Sequence, residues 1–176
     1  MRDYSWLIDE DGFSLSYERN LPLNRYGMGT GGVASLALFP KDIPQLIFAV
    51  DRLESFSVDY KVLGKTSNVL FGDGQIETVL IFTDNIRQTS FAKTPFAACG
   101  VSAATFLKEC KASNLLGGEF LAGIPCSIGG AAYMNAGVQG GYFEEIVQRV
   151  LVYENGEILS LSRAECGYSY KKSRFM

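Results

Sequence analysis

Apolar and polar positions alternate between two rhythms along this chain, and the switches between them outline the elements. Residues 33–39, Val-Ala-Ser-Leu-Ala-Leu-Phe, read as a strand ended by Pro40. Asp42 then stands before Ile43, Leu46, Ile47, Val50 and Leu53, which share one face at helical spacing, so a helix capped by Asp42 is predicted. Residues 60–63 read as a buried strand, 69–71 as a short strand after a Gly/Ser/Asn loop, and 78–82 as another strand. Ser102 precedes Ala103, Phe106, Leu107 and Cys110, a second helical face that ends near Asn114. Residues 146–162 read as a hairpin about Asn155-Gly156, the strongest short signal for a type I′ turn. Ser162-Arg-Ala-Glu165 has the capping-box pattern and predicts a short helix. Residues 1–20 are polar with scattered aromatics and read as an N-terminal extension.

Residues 117–141 break both rhythms. Eight of these 25 residues are glycine, too many for a packed core element, because each costs backbone entropy and adds no side chain. Ser127 is a good N-cap, residues 128–135 form a short helix behind it, and Gly137 closes that helix at C′. Gly129 and Gly130 then fall in the first turn with bare N–H groups facing outward, an arrangement that suits an anion. The alternative is a glycine-rich loop packed tightly on its own domain. A second candidate lies at Gly64, Lys65, Thr66, Ser67 and Asn68, where hydroxyls and backbone N–H groups form a phosphate nest after a strand. The position five before Gly64 is Asp59, so this is not an ATP-binding P-loop. Gly27-x-Gly29-x-x-Gly32 matches the dinucleotide fingerprint in letters. Pro22 and polar residues precede it and a strand follows it, so the strand-then-helix setting of a Rossmann turn is missing.

Composition narrows the chemistry. The 176 residues suffice for one or two domains with a proper core. A net charge of −3 gives no basic footprint for nucleic acid. The absence of histidine excludes histidine metal sites, Ser-His-Asp triads and flavin attachment through histidine. Cys99, Cys110, Cys126 and Cys166 lack C-x-x-C spacing, so neither zinc nor a dithiol pair is indicated, and reduced thiols are expected. No apolar run is long enough for a membrane span and no signal-peptide pattern opens the chain, so the cytosol is the expected location, with no metal, membrane or nucleic-acid partner.

Residues 119–137, Glu-Phe-Leu-Ala-Gly-Ile-Pro-Cys-Ser-Ile-Gly-Gly-Ala-Ala-Tyr-Met-Asn-Ala-Gly, resemble the E-F-x-x-G-I-P-G-[ST]-[IV]-G-G-A-x-x-M-N-A-G signature of the UDP-N-acetylenolpyruvoylglucosamine reductases, the MurB family. Further matches follow the family's order from about residue 21 to 175. They are Pro22-Leu23 with Tyr26, Gly31, Gly32 and Ala34; the L-G-x-G-S-N loop at 63–68; residues 97–100 against A-G-A-G; and Glu165, Tyr170, Ser173 and Phe175 against E-x-x-x-x-Y-R-x-S-x-F. The resemblance implies an α+β, two-part FAD-binding fold of the vanillyl-alcohol-oxidase/PCMH type, with subdomains at 21–85 and 86–176 and FAD clamped between the parts. It implies non-covalent FAD, NADPH as co-substrate, and a UDP-sugar enolpyruvyl ether reduced to UDP-N-acetylmuramate in cell-wall synthesis. It assigns the cofactor to Gly64, Lys65, Thr66, Ser67 and Asn68, to Gly123, Ile124, Pro125, Ser127, Gly129 and Gly130, and to Asn135, Ala136 and Gly137. Lys171, at the family's arginine position, is the candidate catalytic residue.

The chain departs from the pattern at Thr66 and Cys126, where glycine is usual, and at Tyr142, where an acid is usual. The family's third domain, which supplies most substrate contacts, is not within these residues. Two readings therefore stand: the FAD-binding portion of a reductase, or a non-catalytic relative that binds flavin or nucleotide or serves as a partner surface.

Overall fold

The computed structural model describes Leu7 and residues 14–92 and 94–176. The chain divides into two compact units, Met1–Arg87 and Gln88–Met176. In the first, β1 (Tyr17–Pro22), β2 (Val33–Leu38), β3 (Tyr60–Leu63), β4 (Gln75–Ile76) and β5 (Val79–Phe82) make a five-stranded sheet. The order is β1-β2-β5-β3, with β4 also on β2. β1 runs antiparallel to β2, while β4 and β5 run parallel to β2, and β3 parallel to β5. Parallel neighbours need a crossover, and the helix α1 (Ile43–Ser55) stands between β2 and β3 in the chain.

The Asp42 side chain accepts from Gln45 N at 2.9 Å and starts α1 where the sequence placed it. The face it buries is Gln45, Ala49, Val50 and Leu53. Gln45 is tolerated there because its amide is satisfied at both ends, by Lys41 N and by Ser14 O. All four residues of β5 are buried, and Leu80 and Phe82 join Leu21, Ala34, Ala37 and Phe71 in one core cluster.

Three expectations for this unit change. Residues 60–63 do form a strand, but it lies at the sheet edge, with Lys61 and Val62 exposed rather than buried. Residues 69–71 are not a strand, and Leu70 is 73% exposed. Most of the expected extension 1–20 lies outside the described residues, but 17–20 belong to β1. Its polar letters fit an outer strand with one neighbour, β2. A strand, β1, does precede the 27–32 glycines, but Gly32 leads into β2 and not into the helix that a Rossmann turn needs. Its N–H donates to Gly72 O at 2.9 Å, and a Cβ there would sit 1.8 Å from Gly74 O. Those glycines let two backbones cross.

The second unit carries the helices α2 (Ala103–Ala112) and α3 (Ile128–Met134). Its strand pairs are all antiparallel: β6 (Thr89–Ser90) with β7 (Phe96–Ala97), β8 (Gly137–Val138) with β9 (Gly141–Tyr142), and β10 (Arg149–Glu154) with β11 (Glu157–Ser162). Ser102 Oγ caps α2 by accepting from Thr105 N at 3.1 Å. Asn155 and Gly156 both have positive φ, 53° and 82°, as a type I′ turn requires. The hairpin opens at Arg149 rather than 146, because Phe143–Glu145 forms a 3-10 turn first. The Ser162–Glu165 capping bonds form, with Ser162 N on Glu165 Oε2 at 2.8 Å, yet no helix follows. One i→i+4 bond closes, Cys166 N to Ser162 O, and Gly167 at φ +58° turns the chain away. All four cysteines are unbridged.

Candidate functional site

In the first unit the candidate loop leaves the carboxyl end of β3. Leu63 O accepts from both Thr83 N and Thr83 Oγ1, at 2.9 and 3.0 Å, which anchors the point of departure. Thr66 is buried and has φ +54°. A β-branched residue in the left-handed region is an outlier, and this is the position at which the glycine of the family pattern is missing. Val69 N closes the turn on Thr66 O at 3.1 Å. The N–H groups of Lys65, Thr66 and Ser67 donate to no described residue. The Lys65 ammonium lies 3.4 Å from Asp84 Oδ1, so its charge already has a partner. Thr66→Gly is expected to raise stability by about 0.5–1 kcal/mol, as relief of the strained φ outweighs the added freedom of the unfolded chain. Thermal melts of the two proteins check this, and a lower midpoint for the glycine variant would show that the threonine side chain contributes more than its backbone costs.

In the second unit, Gly123 has φ +80°, and a Cβ there would meet nothing within 4 Å. Gly123, Ile124 and Pro125, with Ala104, Leu107 and Leu121, line most of an apolar cavity of about 420 Å³. Cys126 is buried beside them, and burial pushes its thiol pKa up. Ser127 is 1% exposed and caps α3, its Oγ accepting from Gly130 N at 3.2 Å.

The start of α3 differs from expectation. Gly129 and Gly130 do not turn bare N–H groups outward. Ile128 N donates to Val101 O at 2.8 Å, Gly129 N to Cys99 O at 2.9 Å, and Gly130 N to Ser127 Oγ. A Cβ on Gly129 would lie 2.7 Å from Cys99 Cβ and 3.0 Å from Cys99 Cα. Gly129 is therefore glycine because the helix start docks on the 99–101 backbone, which is the tight-packing alternative. The helix also ends earlier than expected. Asn135, not Gly137, closes it, at φ 43° and ψ 57°, since asparagine tolerates the left-handed region.

Asn135 is fully buried, and its amide is engaged by the protein itself. Nδ2 donates to Ser169 O at 2.9 Å and Glu144 Oε1 at 3.2 Å, and Oδ1 accepts from Glu144 N at 3.0 Å. Ala136 is equally engaged, its N on Ala131 O and its O accepting from Phe143 N. Gly137 begins β8, and its carbonyl accepts from Lys171 Nζ. Lys171 sits at φ +53° in a turn closed by Ser169 N on Lys172 O and Lys172 N on Ser169 O, both 3.1 Å. Asn135, Gly137 and Lys171 are thus brought together, and so are residues 123–130. The 64–68 loop belongs to the other unit.

Sequence reasoning missed Glu144 and Ser169 as partners of Asn135. It matched Ser173 to the family pattern without a role. Ser173 Oγ donates to Tyr133 O at 2.6 Å, satisfying an orphan carbonyl of the last helical turn. The Glu144-Glu145 pair after Gly140-Gly141 was the available signal, because an acid there can meet a buried asparagine.

Two features suit a dinucleotide cofactor: N–H groups in the 65–67 loop that donate to no described residue, and an open, positive-φ glycine beside an apolar cavity. The start of α3 is not a third, because its donors are taken. Residues 34–162 match the family model described as FAD binding domain, and the chain belongs to that family. Its fold is the two-part FAD-binding fold of the vanillyl-alcohol-oxidase/PCMH type, and its cofactor is FAD.

The nearer likeness is to UDP-N-acetylenolpyruvoylglucosamine reductases. The enzyme of Pseudothermotoga lettingae is 37% identical over 147 residues, which is 82% of this chain and 50% of that protein. The crystal structure of the Thermus caldophilus enzyme matches with a TM-score of 0.76 at 27% identity, covering 90% of this chain and 57% of that one. Cholesterol oxidase from B. sterolicum, at 13% identity and a TM-score of 0.61 over 87% of this chain and 34% of its own, shares the fold alone. The chain spans about half the length of the curated relatives it matches.

Proposed function

We propose that this chain is the FAD-binding portion of a UDP-N-acetylenolpyruvoylglucosamine reductase, holding FAD without a covalent bond. The whole protein would use NADPH as co-substrate and reduce UDP-N-acetylglucosamine-enolpyruvate to UDP-N-acetylmuramate in cytoplasmic peptidoglycan synthesis. The observation that carries the reading is Gly123, whose backbone is open on the side where a side chain would stand and which, with Ile124 and Pro125, borders the apolar cavity. The 37% identity to a reductase of that name supports it. FAD, once reduced by NADPH, would supply the hydride for the enol ether, and the protein would supply position and electrostatics.

The N–H groups of Lys65, Thr66 and Ser67 and the side chains of Ser67 and Asn68 serve the cofactor phosphates, and Gly64 leads from β3 into that loop. Gly123, Ile124 and Pro125 meet the cofactor directly. Ser127, Gly129, Gly130, Ala136 and Gly137 act by holding those segments in place. Lys171 offers a positive charge to the negative charge that develops on the substrate. Lysine is a mobile point charge where arginine presents a rigid fork.

The test joins this chain to the C-terminal half of a relative and follows NADPH oxidation with the enolpyruvyl substrate. Lys171→Arg is expected to maintain or raise turnover. Lys171→Ala is expected to lower it roughly 100-fold, the scale of losing one transition-state charge contact. Equal rates in all three proteins would remove Lys171 from the active site.

A further inference from the structure

Three bonds tie the end of α3 to the segment that carries Lys171. Asn135 Nδ2 donates to Ser169 O at 2.9 Å, Ser173 Oγ donates to Tyr133 O at 2.6 Å, and Lys171 Nζ donates to Gly137 O. Asn135 lies at the centre of the arrangement. It is 0% exposed, it sits at the left-handed C-cap of α3, and its remaining amide capacity goes to Glu144 through Oε1 and the backbone N. A buried amide with both N–H donors taken and its oxygen already accepting has no donor left to offer a ligand, yet it fixes the direction of whatever it holds. What it holds is the Ser169 carbonyl, the first residue of the Ser169–Lys172 turn, which places Lys171 at φ +53°.

We infer that Asn135 is a positioning residue: from the C-cap of α3 it fixes the Ser169–Lys172 turn, and through that turn it fixes the Lys171 ammonium. This replaces the direct contact with FAD that the sequence suggested for Asn135. The catalytic consequence rests on the reading of Lys171 given above, but the clamp on the turn does not. Glu144 completes the device. Its carboxylate orients the Asn135 amide and lies 3.9 Å from Arg163 Nη2, which steadies it in turn. Asparagine suits the position on two counts, because it accepts the left-handed backbone and carries two N–H donors. Glycine would meet only the first requirement.

The test uses the FAD-loaded chain and Asn135→Gly, which keeps the backbone conformation and removes the amide. The first readout is hydrogen exchange at the Lys172 amide, which donates to Ser169 O. Exchange is expected to be about tenfold faster, the scale of losing one or two buried hydrogen bonds, with the β10–β11 amides unchanged. The second readout is the flavin reduction potential in the parent, Asn135→Gly, Lys171→Ala and the double variant. Both single changes are expected to lower the potential, because a held cation favours the electron-rich flavin, and the double variant is expected to match Lys171→Ala alone.

Unchanged exchange at Lys172 overturns the inference. So does an Asn135→Gly shift that persists in full in the Lys171→Ala background, since that would mean direct action on FAD. Faster exchange with no change of potential in either single variant supports the clamp and removes Lys171 from the flavin instead. If Asn135→Gly fails to fold, Asn135→Asp keeps the shape, lacks both Nδ2 donors and is read by the same two outcomes.

Discussion

Gly129→Val is expected to unfold the second unit. A Cβ at this position would lie 2.7 Å from Cys99 Cβ and 3.0 Å from both Cys99 Cα and Cys99 O. Two of those neighbours are backbone atoms, so no rotamer change relieves the contact. Gly129 N also donates to Cys99 O at 2.9 Å, so moving the helix away breaks the bond that docks it. Overpacking a core costs about 1–3 kcal/mol when side chains can yield, and the cost is higher against backbone. Against a domain stability at the low end of the usual range, about 5 kcal/mol, a cost above about 3 kcal/mol removes most of the margin, so the second unit is expected to be largely unfolded or to melt far below the parent. Gly130→Ala is the control, since a Cβ there meets only Ser127 Oγ, at 3.2 Å. Limited proteolysis and circular dichroism melts of the two variants check the contrast. A Gly129→Val protein that melts within a few degrees of the parent would show that α3 is not docked on residues 99–101.

Gly123→Leu is expected to do the opposite, keeping the fold and losing the cofactor. Its Cβ would meet no atom of the protein within 4 Å, so the structural cost is that of a left-handed φ of +80° without glycine, roughly 1–2 kcal/mol. The leucine side chain would occupy the space beside the 420 Å³ cavity that Gly123, Ile124 and Pro125 border. FAD affinity should fall more than about tenfold, or about 1.4 kcal/mol. Titration of FAD into parent and variant, each shown to be folded, measures it. Equal dissociation constants would mean that the cofactor does not approach Gly123.

Together the two glycines show what could be read in the sequence. Most cap and turn signals that lie within four or five residues are declared by the chain. Asp42, Ser102 and Ser127 cap the helices they precede, and Asn155-Gly156 makes its turn. The family signature likewise identified the fold and the cofactor. The failures lie where the partner is distant in sequence. Nothing around Gly129 announces that Cys99 O and Val101 O accept the N–H groups that a local view leaves pointing outward. Nothing in residues 60–63 says that the sheet ends there, because an edge strand and a central one carry similar letters. Asn135 was visible as part of a motif, but its partners Glu144 and Ser169 stand nine and 34 residues away. The capping box at Ser162 formed without its helix, because Gly167 turns the chain after one hydrogen bond.

The most direct test of flavin binding is FAD itself. The purified chain is stripped of any bound ligand, titrated with FAD, and followed by flavin absorbance and fluorescence. Saturation at about one FAD per chain, released intact on denaturation, is the expected result, because no histidine is present to hold flavin through that residue. A folded chain that leaves the flavin signal unchanged throughout the titration would contradict it.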